Sequence, residues 1–141
     1  MYKSILLPVD LHDESSWRKA LPVAVKLAEA FGAKLQVMTV VPEFGYGLVA
    51  SHFPPDFQKK ALESATKALG VFVKEKVPVG GVKAHVAQGA IYDEILRVAK
   101  THGCDLVVMG SHRPELADYL IGPNAARVVR HAVQSVLVVR E

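Results

Sequence analysis

Residues 106–125 read LVVMGSHRPELADYLIGPNA. A run of apolar residues ends in Gly110, a polar loop follows, and Gly122 leads directly into a helix-like stretch, Pro123–Ala132. Leu106–Met109 is apolar without alternation, the pattern of a strand covered on both faces, and such strands belong to parallel sheets. Working outward, Ile5–Val9, Leu35–Val41 and Ser135–Val139 are mostly apolar in the same way, while Val82–Ala87 alternates and is placed nearer an edge. Helical patterns separate the runs. Ser15–Phe31 carries apolar residues at Trp17, Leu21, Ala24, Val25 and Leu27, with Gly32 as its C-cap and Pro22 positioned to kink it or shift its start. Pro55-Asp56 opens a second helix to about Val77, with Phe57, Ala61, Leu62, Ala65, Leu69 and Val73 on one face; Ile91–His102 forms a third, ended by Gly103. In the fourth, Pro123 takes the first helical position, where its missing N–H costs nothing. Strand and helix alternate throughout, which predicts a Rossmann-like α/β sandwich: a five-stranded parallel sheet with four helices and right-handed crossovers.

With 141 residues, half of them hydrophobic and 22% charged, the chain is expected to form one domain, residues 1–141, and not a disordered segment. No apolar run approaches the roughly 20 residues needed to span a bilayer, and MYKSILLPVD lacks the pattern of a signal peptide. The lone Cys104 cannot build an internal disulfide. These features point to the cytoplasm. Lys and Arg total 17 against 14 Asp and Glu, too small and scattered an excess to argue for nucleic acid, though Arg127, Arg130, His131 and Arg140 bias the C-terminus.

In parallel α/β sheets, ligands bind beyond the carboxyl ends of the strands. There lie Pro8-Val9-Asp10, Val40-Val41-Pro42, Gln88-Gly89-Ala90 and Gly110-Ser111-His112-Arg113, beside the long loop Pro42–Pro55. Glycine permits close backbone approach, and a helix start offers unpaired N–H groups with a partial positive charge, so Gly110, Gly122 and Arg113 form a potential phosphate cradle. They read equally as two turn glycines and a solvated charge. Asp10 can accept hydrogen bonds from a ribose hydroxyl or an adenine amine, or coordinate a metal; taken alone, it reads better as an N-cap or Asx-turn for the next helix. Gly45–Ala50 matches G-x-G-x-x-G/A but is followed by Ser-His-Phe-Pro-Pro, not a helix, and no Walker P-loop exists. The six histidines lack paired metal-ligand spacing. His102 and Cys104 read as capping and core packing, and Ser111 lacks the setting of an esterase nucleophile.

Together these segments resemble the universal stress protein family, in particular its ATP-binding branch and its F/G-type members. The resemblance runs from Tyr2–Asp10, through the segment ending in Gly89 and the Leu106–His112 strand and loop, to the terminal block Arg130–Arg140. The family's nucleotide motif is G-x2-G-x9-G-(S/T). Here Gly110 matches the first glycine, Arg113 stands in the second glycine's place, eight residues separate Arg113 from Gly122, and Pro123 replaces the Ser or Thr.

The resemblance implies strand order 3-2-1-4-5 and a homodimer, assigned to the terminal strand Ser135–Val139. It implies an adenine-nucleotide cofactor (ATP, AMP or ADP, with or without Mg2+). It carries adenine and ribose contacts to Pro8, Val9, Asp10 and Val40, and phosphate contacts to Gly110, His112, Arg113, Gly122 and Asn124, with Met109 and Pro123 in the same site. No catalytic residue and no protein-held metal site are assigned. The reading is a nucleotide-binding stress-response regulator with slow ATP hydrolysis at most, and no membrane or nucleic-acid partner. The alternative is a dimeric interaction module whose nucleotide site is weakened or lost.

Overall fold

The computed structural model describes residues 1–43, 56–111 and 122–140. Five strands, β1 (Ser4–Pro8), β2 (Lys34–Val41), β3 (Lys83–Gln88), β4 (Leu106–Ser111) and β5 (Ser135–Arg140), form one sheet in the order β3-β2-β1-β4-β5. Every pairing is parallel. Four helices connect them: α1 (Ala20–Phe31), α2 (Phe57–Lys76), α3 (Ile91–Thr101) and α4 (Pro123–His131). The alternating strand β3 is an edge, as its pattern predicts, and so is β5. Strand order reverses between β1 and β4, which makes their carboxyl ends the switch point of the sheet.

Both faces are covered because successive side chains point to opposite sides of a strand. Ile5, Leu7, Val37 and Val108 pack with Leu21, Ala24 and Val25 of α1 and Leu69 and Phe72 of α2. Leu6, Met38, Val107 and Met109 pack with Ile95, Val98 and Ala99 of α3 and Ala125 and Val128 of α4.

Two helices depart from expectation. The stretch expected as one helix over Ser15–Phe31 is divided into a single 3-10 turn, Glu14–Ser16, and α1. Pro22 thus falls in the first turn of α1, where a backbone N–H has no intrahelical partner to lose. In α2 the buried residues are Leu69 and Phe72; Ala61, Leu62 and Ala65 are only half-buried. Twenty residues of helix span about 30 Å, longer than the roughly 20 Å of the six-residue β3 beside it. Phe72 is held by Trp17, ring edge to face at 5.0 Å.

The amino end of the sheet is closed by polar contacts. Asp105 accepts from Lys3 N at 2.9 Å and Ser4 N at 3.0 Å, tying β1 to the start of β4. Burial works against the Asp105 charge, yet the N–H groups of Ser4, Lys3 and Asp105 itself, with the Lys3 charge, outweigh it and hold the carboxyl below its usual value. Beside it, the buried Gln36 donates to Ser4 Oγ at 2.8 Å, and its carbonyl accepts from His85 Nε2 at 2.7 Å. Ser4 Oγ donates in turn to Cys104 Sγ at 3.7 Å, and burial pushes that thiol up. The His85 ring stacks on His102 at 4.0 Å.

Burial, then the charges of His102 and Lys83, hold the His85 imidazole below its ordinary value. An unfolded chain takes up this proton near pH 6.5, while the folded chain resists it until the pH is lower. Its contribution is therefore complete above that pH and is lost as the pH falls through the depressed folded value. Urea unfolding at pH 7.5 and 5.5 should show wild-type stability dropping on acidification, and His85→Asn, which keeps a donor for Gln36, should lose less.

Candidate functional site

At the carboxyl ends of β1, β2 and β4 the sheet opens into a cavity of about 390 Å3, within the roughly 300–1,000 Å3 usual for small-molecule sites. Of the residues expected there from sequence, Pro8, Val9, Asp10, Val40, Met109, Gly110 and Asn124 all line it. Gly122 and Pro123 do not; they form the start of α4 behind Asn124. His112 and Arg113 lie outside the described residues, as does the discarded Gly45–Ala50 pattern. A second hollow, of about 400 Å3 between Glu29, Lys34, Gly80 and Lys83, lies at the amino end of the sheet, away from the switch point.

The β1–α1 connection builds one wall. Asp10 Oδ1 accepts from His12 N at 2.9 Å, so the Asx-turn is formed. Asp13 caps the 3-10 turn, accepting from Ser15 N at 3.0 Å and Ser15 Oγ at 2.6 Å. Ser16 Oγ accepts from Asp10 N at 2.8 Å and has acceptors in Asp13 O at 2.8 Å and Asp10 O at 3.2 Å. A hydroxyl has one proton, and the shorter contact to Asp13 is the better use of it. The hydroxyl thus fixes the backbone on both sides of His12 and leaves the Asp10 carboxylate at the cavity rim.

Gly110 has a role that neither sequence reading contained. It lies within β4, not in a turn, and a β-carbon there would sit 2.5 Å from Ser16 O and 3.0 Å from Ser16 C. Only the missing side chain lets the 3-10 turn close over the end of β4. One residue on, Ser111 Oγ accepts from Gly122 N at 2.9 Å, joining β4 to the start of α4. Pro123 occupies the first helical position there, as expected.

Pro42, at the expected end of β2, also lines the cavity, whereas sequence reasoning did not place His12, Asp13, Ser16, Met38, Thr39, Ile91 or Ile95 in the wall. Ile91 and Ile95 were signalled by their i, i+4 spacing immediately after the Gly89 strand end, and Asp13 by its capping position before Glu-Ser-Ser. With Met38, Met109 and Pro42 the isoleucines give the cavity an apolar slot, while Asp10, Asp13 and Asn124 supply polar edges. Among the described residues no group of three or more His, Cys, Asp or Glu could hold a metal ion.

A doubly wound parallel sheet with a partly apolar hollow at its switch point is the frame of a small-molecule-binding α/β protein. The chain belongs to the universal stress protein family, whose sequence model matches residues 1–140. It is 34% identical to Universal stress protein G of Shigella flexneri over 99% of this chain and all of that one. Universal stress protein MJ0577 of Methanocaldococcus jannaschii is 26% identical over 99% of the chain and 96% of its own length. The solved structure of MJ0577 superposes with a TM-score of 0.74, covering 100% of this chain and 97% of that one. A universal stress protein solved in complex with cAMP, 24% identical, shares the fold with a TM-score of 0.64, covering 99% of this chain and 97% of that one.

Gly110→Ala should displace the 3-10 turn, because backbone, and not a flexible side-chain tip, blocks the new methyl group. Overpacking of this kind costs about 1–3 kcal/mol. Denaturant unfolding should report the loss, and a Gly110→Ala protein as stable as wild type would mean that the turn relaxes freely.

Proposed function

We propose that this chain is an adenine-nucleotide-binding regulatory protein of the stress response, acting as one domain in the cytoplasm. The observation that carries the reading is convergence: Pro8, Val9, Asp10, Val40, Met109, Gly110 and Asn124, drawn from four separate segments, share one cavity at the switch point. Met38, Ile91, Ile95 and Met109 suit the faces of a purine ring. The Asp10 carboxylate suits ribose hydroxyls, which are donors. The start of α4, with Asn124 and the glycine-flanked segment that includes His112 and Arg113, takes the phosphate end. That a family member of the same fold was solved with cAMP supports the ligand class. No residue is assigned to catalysis.

The reading also pairs two copies of the chain through β5. That strand is a sheet edge, and Leu137 (39% exposed) and the neighbouring Val133 (93%) and Val129 (47%) are apolar side chains left in solvent. Antiparallel pairing of two such edges across a two-fold axis would satisfy their backbone groups. Leu137→Arg would place a charge in that contact. It should give a monomer by light scattering with an unchanged far-ultraviolet spectrum; a persistent dimer would move the interface elsewhere.

Calorimetry with adenine nucleotides tests the central claim. Asp10→Ala removes a charged acceptor and should weaken binding by about 1.5–3 kcal/mol, roughly tenfold or more. Asp10→Asn keeps an acceptor for the Asx-turn and separates loss of charge from loss of the turn. Unchanged affinity in both variants would reject the role of Asp10. No binding by the wild type would favour the alternative, a dimeric interaction module, toward which the missing donor at Pro123 already points.

A further inference from the structure

Three polar side chains are buried among the described residues: Ser4, Gln36 and Thr39. Ser4 and Gln36 bond to each other at 2.8 Å at the amino end of the sheet. Thr39, only 6% exposed, lies at the other end, in the cavity wall, and its hydroxyl has no hydrogen-bond partner among the described residues. Its backbone is taken up by the sheet. Met38 O accepts from Val9 N beyond β1, and Val41 O accepts from Gly89 N at the end of β3. Backbone groups alternate in direction along a strand, so the N–H and C=O of Thr39 point to β3, where Thr39 pairs with Val86. What this residue presents to the cavity is therefore its side chain. A buried hydroxyl without a partner is costly, and it calls for a bond from outside the protein.

The sheet divides the cavity wall into two chemical halves. Leu35 and Val37 belong to the core under α1 and α2, so alternation puts Thr39 on that face. Ser16, which lies over Gly110, and Asp13 belong to the turn that closes the same side. Met38, Ile95 and Met109 belong to the core under α3 and α4, and they make the apolar slot. A ligand whose ring fills the slot turns its polar part toward the other half. There the Ser16 hydroxyl is fully used within the turn, so Thr39 is the buried polar group left to the ligand. Ribose has two neighbouring hydroxyls, enough for Asp10 and Thr39 together. We infer that Thr39 is a specificity-determining residue of this site, its hydroxyl sharing a hydrogen bond with a ribose hydroxyl, so that ribonucleotides are taken in preference to their deoxy analogues. The inference rests on the adenine-nucleotide reading above and adds a sugar contact to it.

Calorimetry on the full chain with AMP and its 2′-deoxy and 3′-deoxy analogues tests it; the base and phosphate are common to all three, so the ratios read the sugar. Wild type should bind AMP about three- to tenfold more tightly than at least one analogue, the worth of one hydrogen bond between uncharged groups. Thr39→Val exchanges the hydroxyl for a methyl group. It should weaken AMP by that factor and leave unaffected the analogue that lacks the contacted hydroxyl. Thr39→Ser, which keeps a hydroxyl, should retain the preference. Because the hydroxyl has no partner in the protein, urea unfolding without ligand should find Thr39→Val at least as stable as wild type. A Thr39→Val protein that fails to fold would itself contradict a hydroxyl without a protein partner. Equal binding of all three compounds by wild type, AMP affinity unmoved by Thr39→Val, or an equal loss for all three would overturn the inference and leave adenine-nucleotide binding standing. Absence of binding by both AMP and ATP overturns that broader reading and this one with it.

Discussion

The close approach of Ser16 to Gly110 is the contact on which the upper end of the molecule depends. At 2.5 Å from a would-be β-carbon, the Ser16 carbonyl occupies the space any side chain at position 110 would need. Because it can sit there, the 3-10 turn closes over β4, the Ser16 hydroxyl reaches Asp10 N and Asp13 O, and Asp10 is held at the cavity rim. The same turn delivers Trp17 to Phe72 and so anchors α2. A void of one methyl group thus positions the β1–α1 wall of the site and one helix contact more than 50 residues away in sequence.

The two ends of the sheet divide stability from openness. At the amino end, strand starts are tied together by Asp105, Gln36, Ser4 and His85, whose polar groups satisfy one another under the end of α3. A buried amide such as that of Gln36 is costly unless both its donor and its acceptor are used, and here both are. At the carboxyl end the polar groups are left facing a cavity. Asp10, Asp13, Thr39 and Asn124, from three separate segments, line that cavity, and no element of the described chain fills the switch point.

The local signals in the sequence were enough for the frame. Apolar runs placed four strands to within a residue at each end and β4 to within two, Pro123 marked the start of α4, and the alternation of β3 put it at an edge. Gly32 and Gly103, both in the left-handed region at φ +63 and +65, ended their helices as expected. What local pattern could not carry was contact between distant segments. Nothing near Gly110 indicates that residue 16 will lie against it, so its glycine reads as a phosphate contact or a turn. Gln36 sits inside an apolar run, and only the register that sets it near His85 explains a polar residue there. Phe72, not named on the expected face of α2, lies on it seven residues after Ala65, and its burial depends on Trp17, a residue far off in sequence.

The start of α4 shows how a family pattern can be altered in one physical property and kept in another. A helix start provides both an electrostatic field and a set of directional donors, and the two have different origins. The field comes from aligned peptide dipoles along the whole helix and survives any residue that keeps the helix in place. Pro123 does so, since its fixed φ suits the first position and the helix runs on to His131. The donors belong to individual N–H groups, and they are lost one at a time, here to proline at 123 and to the Ser111 hydroxyl at 122. The field is broad and tolerant of what enters it, whereas the donors select by distance and angle. Removing donors under an unchanged field therefore alters what the helix start can bond without moving the helix, and it leaves the fold, whose core at Val128 and Ala125 is untouched, free of the consequence.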